Sequence, residues 1–192
     1  MNTNPYAPPK AAVADVAAAA TAPAIFFPVS RKKLIVLLIV TFTLYELVWF
    51  YKNWALERRR GEPVLPLMRT IFAIFFCYSL FDRVQRRAAP LGVRLPAGAL
   101  AAGWILFTLA GNVLDRFVPP DRYTVLDVVV LLVLYTSVAF LVPVQDAINT
   151  INRAEVPDHD PNDRFTVWNW LWIVVGGLFA GLIVLGSLLP EV

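Results

Sequence analysis

Residues 124–144 read TVLDVVVLLVLYTSVAFLVPV, and within them Asp127 is the only charged residue. An α-helix of that length covers about 30 Å, the thickness of a bilayer's hydrocarbon core. Four more blocks of similar character lie at 34–54, 64–81, 97–118 and 168–189, and charged residues are nearly confined to the intervals between them. With 58% hydrophobic and 16% charged residues, the chain is too apolar for a soluble globule. The expected fold class is therefore all-α: a polytopic transmembrane helical bundle of five spans. The second block is short, covering about 27 Å as a helix, and a re-entrant course is its alternative.

Outside these blocks the sequence is less structured. Residues 1–30 carry an Ala/Pro-rich run with few large side chains before Ile25, and read as a disordered tail ahead of a bundle spanning 31–192. No charged n-region precedes the apolar run, so a cleaved signal peptide is not expected. Residues 145–166 form the one long internal loop, polar and acidic, and are expected to lie in water. Trp49, Phe50, Tyr51 and Trp54 close the first span as an interfacial aromatic belt. Lys and Arg counts orient the bundle only weakly. With five spans and a cytoplasmic N-terminus, Lys10, Arg31, Lys32, Lys33, Arg83, Arg86, Arg87, Arg94, Arg153 and Arg164 fall inside, ten of seventeen.

Glu46 is the sharpest polar feature, because an unpaired carboxylate within a span is costly. Thr43, Glu46, Phe50, Asn53 and Glu57 recur at helical spacing, giving the first block one polar face. Glu46, Asn53 and Arg69 form the candidate intramembrane polar site, with Arg69 the expected partner of Glu46. Asp127 follows Thr124 by three positions, the spacing of a helix-capping box, and Asn112 is expected to bond between helices. Gly177 and Gly181, with Gly103 in the third block, supply small surfaces for close helix packing, expected within the chain.

The basic groups Arg58-Arg59-Arg60 and Arg83, Arg86 and Arg87 are candidate contacts for anionic head groups of membrane lipids. A homo-oligomer or a membrane-protein partner is also compatible with the glycine faces, while nucleic acid is not an expected partner. His159, the one histidine, lies in an acidic loop with too few ligand types for zinc and no EF-hand pattern, so no metal or other cofactor is expected. Hydrolase elbow, zinc-protease and phosphate-loop motifs are all missing, and no catalytic residue is assigned.

The runs YELVWFYKNW (45–54), with Arg69, FFCYSLF (75–81) and RFTVWN (164–169) resemble those of a family of small, uncharacterised bacterial multispan inner-membrane proteins. The resemblance implies a bacterial plasma membrane and carries over no activity. The expected function is an accessory, scaffold or assembly subunit acting through helix packing, not an enzyme. Its rivals are a transporter or channel with Glu46 in a proton or cation path and, more weakly, an enzyme acting on lipid.

Overall fold

The computed structural model describes residues 22–118 and 125–188, and these are all-α, with no strand among them. The elements are α1 (Arg31–Val40), α2 (Tyr45–Arg59), α3 (Pro66–Ile71), α4 (Ala73–Ala88), α5 (Ala97–Asp115), α6 (Val125–Glu155) and α7 (Val167–Leu188). Two of them, α5 and α6, are long and apolar enough to cross a membrane.

The first block is not one helix. It breaks between α1 and α2, where Phe42 and Thr43 take φ of 50° and 66°, a left-handed conformation that suits glycine better than a β-branched residue. The turn is tied by the Thr43 amide to the Leu38 carbonyl at 2.8 Å. Thr41 Oγ1 donates to the Leu37 carbonyl at 2.7 Å and accepts from the Tyr45 amide at 3.0 Å. The chain then doubles back. Phe27 donates its amide to Asn53 Oδ1 at 3.0 Å, although an uninterrupted helix would hold those residues about 39 Å apart.

The second block returns as well. It bends at Phe72 between α3 and α4, and Arg83 reaches Glu62 at 2.9 Å, so the segment ends where it began. α4 also runs past Asp82 and Arg83 to Ala88, burying Ala73, Cys77, Leu80, Phe81, Val84 and Ala88 along one stripe. Blocks one and two are thus helical hairpins whose ends meet: the first departs from the single continuous helix expected there, and the second takes the returning course given as its alternative.

Three further expectations change. The helix that begins at Val125 continues through Pro143 to Glu155, so half of the expected 145–166 loop is helical, with Gln145, Ala147, Ile148, Ile151 and Asn152 buried. Residues 22–30, expected as part of the Ala/Pro tail, include the buried Phe26 and Val29; residues 1–21 lie outside the described residues. Trp49 and Trp54 are fully buried in the core and form no interfacial belt; Trp49 and Phe50 pack with Phe81, and Phe50 with Trp104 of α5.

α5 and α6 approach closely where Gly103 and Gly111 leave room, since a Cβ at either would overlap Phe140 or Leu134. α7 leans on α1, with Gly176 against the Val40 carbonyl and Phe179 edge-on to Phe42 at 5.4 Å. The hairpin tip therefore sits beside the middle of α7. It also lies beside the middle of α6, because Tyr135 donates its hydroxyl to the Ile39 carbonyl at 3.0 Å, and α6 extends about 15 Å beyond Tyr135 to Val125.

This folding collects charge. Arg31, Lys32, Lys33, Lys52, Arg58, Arg59, Arg60, Arg69, Arg83, Arg86, Arg87, Arg94, Arg153 and Arg164 all belong to the end where α2, α4 and α6 finish and α1, α5 and α7 begin. Among the described residues only Arg116 lies at the other end. The weak orientation signal came from treating both blocks as crossings, which put Lys52, Arg58, Arg59, Arg60 and Arg69 on the side opposite the other basic residues of this end.

Candidate functional site

α2 positions a column of polar side chains toward the bundle interior, in which Glu46, Asn53 and Glu57 are buried with Phe50. At the tip, Glu46 accepts from Trp104 Nε1 at 3.2 Å through one oxygen, and its other oxygen lies 3.2 Å from Ser137 Oγ. Ser137 also contacts the Leu134 carbonyl at 2.6 Å, so a single hydroxyl proton serves two acceptors. The carboxylate thereby bridges α2, α5 and α6. Arg69 is not its partner. Its guanidinium stacks on Trp54 at 4.5 Å and Phe76 at 5.1 Å, because α3 is only six residues long and turns at Phe72, leaving Arg69 beside Trp54 about two helical turns from Glu46.

One turn up, Trp49 Nε1 donates to Gln145 Oε1 at 2.6 Å. Gln145 opens a row that sequence reasoning missed. Residues 25–29 belong to no helix or strand, with Phe26 and Val29 buried and the others partly so, and side-chain amides satisfy their backbone. Asn152 Oδ1 accepts from the Ile25 and Phe26 amides at 3.0 and 3.1 Å, and its Nδ2 donates to the Phe26 carbonyl at 2.9 Å. Asn53 takes the Phe27 amide, Gln145 donates to the Phe27 carbonyl at 3.2 Å, Asn149 to that of Val29 and Asn162 to that of Pro28, both at 2.9 Å. Buried backbone groups need such partners. The signal was present: Gln145, Asn149 and Asn152 recur at spacings of four and three, one face of a helix, in a stretch assigned to a loop.

Beyond the amides lies an ion-pair cluster. Glu57, buried, accepts from Arg60 and, at 2.7 Å, from Arg83, while Arg86 pairs with Asp82 at 2.6 Å and Arg87 with Glu155 at 2.6 Å. Arg60 also donates to the Ile25 carbonyl. Hydrogen bonds from Arg83 and Arg87 hold the Glu62 and Glu155 carboxyls below the usual carboxylate range. An open groove of about 1020 Å³ lies over this cluster, lined by balanced acids and bases. Of the arginines named as head-group contacts, Arg60, Arg83, Arg86 and Arg87 are neutralised by carboxylates, and Arg58 and Arg59 make no ion pair with a described residue.

The remaining candidates sort plainly. Lys33 is buried and donates to Asn162 Oδ1 and the Arg164 carbonyl, both at 2.7 Å; burial pulls its pKa down against the raising influence of Asp160 and Asp163. His159 Nδ1 lies 2.6 Å from the Val156 carbonyl of its own turn. Asn112 donates to the Thr108 carbonyl of its own helix at 2.7 Å, and among the described residues no interhelical bond of it is seen. Thr124, the proposed cap before Asp127, lies outside the described residues. Gly103 packs within the chain, whereas a Cβ at Gly177 or Gly181 would meet no atom of the described residues within 4 Å, so no intrachain contact of that face is seen among them.

Comparison with protein-family models, with curated proteins and with solved structures gave no match.

Proposed function

We propose that this chain is an accessory or assembly subunit of a bacterial plasma membrane that holds its partner through helix packing. In this reading α5, α6 and α7 cross the bilayer, and the two hairpins enter from the charged side and return from about mid-depth. The basic end faces the cytoplasm, by the preference of Lys and Arg for that side.

The observation that carries the reading is the face of α7. Gly177 and Gly181 are open while Gly103, Gly111 and Gly176 are filled by this chain's own residues. Around them Leu178, Phe179 and Leu182 are more than half exposed. Close backbone approach by another helix is what such a face supports. No groove described above is lined by Glu46, and both its oxygens already face partners. The carrier or channel reading therefore has less support, and so does a lipid-modifying enzyme.

A photo-crosslinking residue at position 178, in native membranes, tests the reading. A discrete adduct is expected, either with a second copy or with another membrane protein, and Gly177→Ile with Gly181→Ile should abolish it while leaving the chain's abundance unchanged. An adduct pattern indifferent to those substitutions would remove α7 as the docking helix. Ion flux through the purified protein in liposomes that Glu46→Gln abolishes would instead support the carrier.

A further inference from the structure

On the charged side, a groove of about 580 Å³ separates α2 from the turn that leads into α3. Its walls are of two kinds. The exposed apolar side chains of Leu65, Leu67 and Met68 line the part beside α3, and Tyr51, Arg58 and Arg59 stand on the α2 side. These two differ from every arginine of the neighbouring cluster: Arg60, Arg83, Arg86 and Arg87 each hold a carboxylate within 3 Å, and Arg58 and Arg59 make no ion pair with a described residue. Two uncompensated guanidiniums beside an apolar channel complement a molecule with an anionic head and hydrocarbon tails, because guanidinium forks match phosphate oxygens and tails need no hydrogen bonds.

We infer that this groove seats one anionic phospholipid, its phosphate on Arg58 and Arg59 and its acyl chains over Leu65, Leu67 and Met68. The inference rests on the proposed membrane residence of the chain. It narrows the two basic groups to one site, since the arginines after α4's midpoint are already neutralised. The lipid would fill the outer side of the α2–α3 junction, where Ala55 forms part of the wall.

Native mass spectrometry of the full chain, released from nanodiscs of mixed phosphatidylcholine and phosphatidylglycerol, reads the site directly. One phosphatidylglycerol should be retained in preference to phosphatidylcholine. Arg58→Ala with Arg59→Ala should lower that retention about tenfold, as loss of two surface cations allows, and Arg86→Ala with Arg87→Ala should leave it unchanged. Ala55→Trp, which fills the groove without touching charge, should also lower it. Equal losses from both arginine pairs would mean diffuse surface charge and would overturn the site, as would retention unaffected by Ala55→Trp. Release of the wild-type chain from membranes by alkaline carbonate would sink the membrane reading itself; carbonate resistance with unchanged lipid retention in every variant would sink the groove alone.

Discussion

Glu46 shows how much of the site a single residue discloses. Its place in an apolar block marked it as needing partners, and the helical spacing of Glu46, Asn53 and Glu57 placed all three on the buried face of α2. The partners themselves were not legible, because Trp104 and Ser137 lie 58 and 91 positions away and neither is an ion. Arg69 looked suitable only while the second block was taken to run deep. Gln at position 46 still accepts from Trp104 and can donate to Ser137, whereas Ala leaves the Trp104 N–H buried without an acceptor. Thermal unfolding in detergent should therefore show Glu46→Gln near wild type and Glu46→Ala weaker by about 1–3 kcal/mol. Equal loss in both would mean that charge, and not hydrogen bonding, holds the three helices.

At the scale of elements, hydropathy located the apolar blocks but could not tell a crossing from a return. Both produce the same composition, and the reversal in the first block depends on two residues, Phe42 and Thr43, that carry no turn signature. Pro143 and the polar residues after it suggested the end of a helix that runs on to Glu155. The amide row on that extension is what secures residues 25–29. Asn152→Leu keeps the helix but strands two amides and a carbonyl, and should cost about 3 kcal/mol or more; hydrogen exchange at Ile25 and Phe26 should accelerate, and unchanged protection there would refute the clamp. α7 depends on one close approach, Gly176 against the Val40 carbonyl. Gly176→Val meets backbone that cannot rotate away. With Cys77→Ala as background, a short flexible bismaleimide should bridge Phe42→Cys and Phe179→Cys and should fail to do so once Gly176→Val is added; persistence would show that α7 is held elsewhere.

For the whole molecule, the two returns put nearly all of the described cations at one end, where acids balance many of them. Glu62 and Glu155 titrate below their ordinary value in the folded chain. Their stabilisation is complete above the unfolded pKa, about 4.3, and is lost as pH falls through the depressed folded values. Acid should therefore loosen the charged end, detaching α4 from α6 at Arg87 and Glu155, before it disturbs the apolar contact of α5 with α6. Hydrogen exchange along both pairs between pH 6 and pH 3 checks that order, and simultaneous opening would contradict it.

The central claim is that the first two blocks enter and return. Single cysteines in place of Arg31, Arg58 and Leu91, on a Cys77→Ala background, can be labelled with a membrane-impermeant maleimide in sealed vesicles of known orientation. Two hairpins place all three positions on one side, and the account predicts that all three label from the cytoplasmic face. Labelling of positions 31 and 58 from opposite faces would mean that the first block crosses the bilayer, and labelling of positions 58 and 91 from opposite faces that the second does; either result would contradict the account.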